Sequence, residues 1–143
     1  MSMLIFLTFL NSLILIILSL LHIYWAFGGL WGKDLAVPTN RSGQKLFMPS
    51  VLSTLTVAVG LLIFALCNLS IQFSAVLPLN PLFLKYGILV IGLIFLLRAI
   101  GDFNYVGLMK KYKTSDFARQ DRLFYTPLCL TLFAAHLLIF IGF

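Results

Sequence analysis

Residues 3–27 read MLIFLTFLNSLILIILSLLHIYWAF, and this run decides the fold class. It carries no charged side chain over about 25 positions, and ~20 apolar residues already cross a ~30 Å hydrocarbon core as a helix. A buried helix of a soluble protein is rarely apolar on every face for this length. No basic residue precedes the run and no small-x-small cleavage site follows it, so it reads as a lasting span and not a removable leader.

Three more runs of the same kind follow, at about residues 49–69, 81–100 and 123–143. The expected fold is therefore all-α: a polytopic four-transmembrane-helix bundle, with residues 1–143 as one domain. Asn80-Pro81 marks a helix start, a capping side chain before a proline at the first helical position. Pro49 can open the second helix in the same way. Thr126-Pro127 is a different case, because proline inside a helix removes a backbone bond and crowds the preceding turn. A kink or break is expected near residues 123–126, with residues 115–125 then forming a separate interfacial helix or one arm of a kinked one.

Composition agrees. Hydrophobic residues make up 62% of the 143 and charged residues 10%, against roughly 25% charged in a soluble domain. The mean hydropathy is +1.09. A net charge of +6 could point to nucleic acid, but the basic residues sit in two short loops between apolar spans, where they orient a membrane protein and attract anionic lipid. The partner expected is membrane lipid and not nucleic acid, and a second copy of the chain is the candidate protein partner. Lys33, Arg41 and Lys45 lie in one loop, and Lys110, Lys111, Lys113, Arg119 and Arg122 in another, whereas residues 70–80 carry none. Loops 28–48 and 101–122 are thus expected on the cytoplasmic side of the cell membrane, with both termini outside.

Polar groups inside a bilayer are costly unless paired, so they mark structural or functional positions. Most cluster at the ends next to the basic loops: His22, Tyr24 and Trp25 in HIYWAFGGLWG (residues 22–32), Arg98, Asp102 and Tyr105 in RAIGDFNYVG (residues 98–107), and Asp121 and Tyr125 in FARQDRLFYTPLC (residues 117–129). These three stretches resemble an uncharacterised family of small four-helix bacterial membrane proteins known by a domain-of-unknown-function label. The resemblance implies the four-helix fold and brings no catalytic residue with it.

Spacing gives the clusters geometry. Arg98, Asp102 and Tyr105 recur at four and three residues, so Arg98 and Asp102 can pair if the third helix continues past Gly101. Asp121, Tyr125, Cys129 and His136 fall on one stripe if the proline does not rotate it. Asn11 and His136 lie at one depth, roughly 10 Å from the outer boundary, and are expected to meet as a structural polar pair. His22 lies roughly 8 Å inside the other boundary. Cys67 and Cys129 are roughly 15–20 Å apart along the membrane normal, too far for a disulfide.

The expected site is a cytoplasm-facing interfacial pocket lined by His22, Tyr24, Trp25, Arg98, Asp102, Tyr105, Asp121 and Tyr125. It suits an amphiphile with an anionic head. Each member also has a plainer role: His22 as a buried imidazole bonded to a neighbouring helix, Arg98 and Asp102 as a helix lock, the aromatics as an interfacial belt. A lipid- or isoprenoid-modifying enzyme with His22 or Asp121 moving a proton is the alternative, and a small dimeric transporter a further one. No cofactor or metal is expected. A haem between His22 and His136 would need them at one depth, and they differ by roughly 15 Å. There is no C-x-x-C pair, no triad signature and no phosphate-binding glycine loop.

Overall fold

The computed structural model describes residues 2–40, 42–74 and 76–143, so Arg41 of the first basic loop lies outside the described residues. Helix α1 spans Ser2–Ala26. A four-residue helix α2, Lys33–Ala36, interrupts the first loop. Helices α3 (Val51–Gln72) and α4 (Pro81–Ile100) follow. Then come α5 (Asp116–Gln120), a π-helical turn (Asp121–Tyr125) and α6 (Thr126–Gly142), which continue one into the next. Four helices are long and apolar enough to cross a membrane, the last running over Asp116–Gly142. The chain is a multi-pass integral membrane protein.

The helix starts obey local chemistry. Asn80 Oδ1 accepts the N–H of Leu82 at 2.8 Å, with Pro81 at the first helical position. At α3 the cap is Ser50, whose Oγ accepts the N–H of Ser53 at 3.1 Å, so Pro49 precedes the cap and does not open the helix. The break expected around Thr126-Pro127, with residues 115–125 as a separate helix, does not occur. The helix widens instead, and the Thr126 N–H bonds to Asp121 O, five residues back. A proline lacks the N–H that an α-helical turn would need, and its ring crowds the carbonyl four residues earlier. A π turn just before it relieves that crowding while keeping the helix continuous.

Packing follows a heptad-like pattern. On α1 the buried positions Thr8, Ser12, Leu15, Ser19 and Ala26 recur every three and four residues, with His22 completing the series. On α3, Thr54, Ala58, Leu61, Ala65 and Asn68 do the same. These two helices are each other's main neighbours. Their seam is built of small residues, which suits membranes, where close van der Waals contact replaces the hydrophobic drive. Ser19 Oγ donates to Ala58 O at 2.7 Å and Ser12 Oγ to Ala65 O at 3.4 Å across the seam. Helices α4 and α6 form the second pair, with Ile88, Ile91 and Phe95 facing Cys129, Leu132 and Ile139 in the core. The pairs join along α1–α6 and α3–α4.

One polar layer crosses this apolar core. His136 is fully buried. Its Nδ1–H donates to Leu132 O at 2.6 Å, which leaves Nε2 to accept from Asn68 Nδ2 at 3.1 Å. The Asn11 amide lies 3.3 Å from Nδ1. Asn11 and His136 meet, and Asn68 joins them from α3 as a third member that sequence spacing did not single out. Cys67 and Cys129 are free thiols.

Candidate functional site

The stretch after α4 shapes the site. Gly101 ends the helix at φ 86°, ψ −165°, a region essentially restricted to glycine. The chain then folds back on the helix it has left. Leu108 N–H donates to Ala99 O at 2.8 Å, satisfying one of the carbonyls that a helix C-terminus leaves open. Asp102 organises the bend: its Oδ1 accepts the N–H groups of Asn104, Tyr105 and Val106 at 3.0, 2.7 and 2.9 Å. Partial burial pulls this carboxyl upward, but the three N–H donors outweigh it and hold its pKa below the usual value.

The direct Arg98–Asp102 pair expected from their spacing does not form, because the helix stops at Ile100 and the backbone swings Asp102 away. Arg98 turns to Asp121 instead. Asp121 is fully buried. Its Oδ1 accepts from Arg98 Nη2 at 3.0 Å; its Oδ2 accepts from Lys110 Nζ at 2.6 Å and from the Gly107 N–H at 2.8 Å. Gly107, at φ 85°, is where the returning loop comes within reach. The Lys110 side chain is only 5% exposed. Two cations around one carboxylate leave one positive charge uncompensated.

Beside this trio opens a cleft of about 550 Å³. The first loop contributes Ala36, Pro38, Leu46 and Phe47; α4 and its bend contribute Leu97, Arg98, Gly101, Asp102 and Val106; α5 contributes Phe117. Among the described residues, Arg98 and Asp102 are the charged ones in that lining. Arg98 Nη1 is buried and has no hydrogen-bond partner among the described residues. A guanidinium donor buried without a partner is costly.

The other sequence candidates lie around this cleft or apart from it. The π turn breaks the stripe expected from Asp121 through Tyr125 to His136. With one extra residue in the turn, Thr126 takes the buried position and Tyr125 is left half-buried. Tyr125 packs its ring on Phe117 at 6.2 Å, and its hydroxyl donates to Leu35 O at 3.3 Å, joining the first basic loop to the fourth span. Tyr105 stacks on Tyr112 at 4.8 Å. His22, Tyr24 and Trp25 are not in the lining. His22 Nδ1–H donates to Leu18 O at 2.7 Å, and its ring meets Trp25 edge-on at 5.1 Å. Trp25 Nε1–H donates to Trp31 O at 2.8 Å, closing the turn after α1. No group of His, Cys, Asp and Glu among the described residues could hold a metal. Sequence spacing missed Lys110 and Gly107, since nothing in the run Lys110-Lys111-Tyr112-Lys113 marks the first lysine as the buried one.

A family model described as "Protein of unknown function (DUF3995)" matches residues 15–136, more than four-fifths of the chain. The chain belongs to the DUF3995 family. The matched segment takes in the cleft, the Asp121 trio and the π turn. Neither the curated proteins nor the solved structures contain a match to this DUF3995 chain.

Proposed function

We propose that this DUF3995 protein binds an amphiphile with an anionic head group, a phospholipid phosphate in the simplest case, in the cleft beside Arg98. The observation that carries this reading is the Arg98 guanidinium: Nη2 is held by Asp121, Nη1 has no partner among the described residues, and the side chain lines a cleft whose other described walls are apolar apart from Asp102. The mostly apolar walls suit the glycerol and upper acyl region of a lipid. The enzyme alternative has less support. Asp121 commits both oxygens to Arg98, Lys110 and Gly107, and His22 stands outside the cleft lining.

The test is a thermal shift in detergent. A ligand that binds only the folded protein stabilises it by mass action, about 2.7 kcal/mol at a hundredfold excess over Kd. Phospholipid should raise the melting temperature of the wild type. Arg98→Ala should lose most of that gain, measured against its own lipid-free baseline, and Arg98→Lys should recover little, since it restores the charge without the second donor. A lipid shift as large in Arg98→Ala as in wild type sinks the proposal.

The cleft opens, on this reading, toward the cytoplasm. Support comes from the basic residues of loops 28–48 and 101–122 against none in residues 70–80. The two loops also meet, where α2 packs on α5. A cysteine introduced beside Lys111 should resist an impermeant thiol reagent in intact cells and react after the membrane is opened. Equal labelling before and after would reverse the orientation.

A further inference from the structure

Two opposite charges line the same cleft without pairing with each other. Arg98 is bound to Asp121 from the side, its Nη1 has no partner among the described residues, and 36% of its side chain stays exposed. Asp102 directs its three backbone bonds to Oδ1, which leaves Oδ2 able to accept from a ligand. The remaining described lining residues are Gly101 and residues with apolar side chains. A ligand that satisfies both groups carries an acceptor anion and a donor cation on one apolar body.

We infer that the cleft selects a zwitterionic aminophospholipid, its phosphate on the Arg98 guanidinium and its primary ammonium on Asp102 Oδ2. The inference rests on the head-group reading above and deepens it. Phosphatidylglycerol offers the same phosphate but only hydroxyls to Asp102. Phosphatidylcholine offers a cation with no N–H to donate. A hydrogen bond between charged groups is worth enough to separate the amine from both by about tenfold in affinity. Lys110 does not tip the balance toward a net-anionic head, because it is buried against Asp121 and is not in the cleft lining.

The experiment titrates delipidated wild-type protein in one detergent with phosphatidylethanolamine, phosphatidylglycerol and phosphatidylcholine of identical short chains, read by native mass spectrometry and thermal shift. The expected order puts phosphatidylethanolamine about tenfold ahead of the other two. Asp102→Asn keeps a carbonyl oxygen for the three backbone donors and replaces Oδ2 by an amide. It should bind all three lipids alike. A series of head groups methylated once, twice and three times at the nitrogen needs no variant, and affinity for the wild type should fall stepwise along it. Equal binding of the three lipids, or a flat methylation series, overturns the aminophospholipid inference and leaves the phosphate reading standing. Binding of none, or binding indifferent to Arg98→Ala, overturns both.

Discussion

Asp121→Ala lowers the melting temperature of the detergent-solubilised protein by on the order of 10 °C, the size expected when about 3–5 kcal/mol is lost from a domain of this length. The carboxylate is fully buried and holds three donors, Arg98, Lys110 and the Gly107 N–H. Removing it strands Lys110, whose side chain is 5% exposed, and breaking a buried pair by deleting one partner costs far more than never having made it. Arg98, with 36% of its side chain exposed, can turn partly to solvent and loses less. The substitution also unfastens the returning loop from the fourth span, since Gly107 and Lys110 sit on that loop. Asp121→Asn should fall between, because its carbonyl oxygen still accepts one donor while the charge is gone. The double change Asp121→Asn with Lys110→Met should recover part of the loss, since it removes the stranded ammonium as well. Thermal unfolding followed by circular dichroism measures all three. A shift of only a degree or two for Asp121→Ala would mean that water replaces the carboxylate at little cost.

Gly101→Ala should be comparably severe by a different route. At φ 86°, ψ −165° a side chain itself costs about 1–3 kcal/mol. A Cβ there would also stand 1.8 Å from Val106 O, a backbone atom that cannot rotate aside. The bend must therefore open, and with it go the Asp102 cap and the Leu108 N–H bond to Ala99. The clearest readout is hydrogen exchange at residues 102–110, which should accelerate while the α1–α3 pair keeps its protection. Lipid binding should fall in parallel, because Asp102 and Val106 are walls of the cleft. Exchange at the bend matching wild type would show that the glycine conformation is not required there.

The number of helices, the approximate limits of the first three and the meeting of Asn11 with His136 were legible in the sequence. A span must be long and apolar enough to cross hydrocarbon, caps act within a few residues, and two lone polar groups at one depth have few other partners to choose. The choices of partner at the loop end were not legible. Arg98 stands four residues from Asp102 and twenty-three from Asp121, yet it binds the distant one, because a single glycine ends the helix between the near pair. Lys110, Lys111 and Lys113 are equivalent as sequence, and only the fold shows Lys110 buried while the other two are exposed. The π turn decides that Thr126, not Tyr125, faces the core. Residue spacing assumes a helix that keeps its period and direction, and both are lost at Gly101 and again before Pro127. Burial and charge pairing depend on positions in space across those breaks, so tertiary packing alone determined the cleft and the charges that line it.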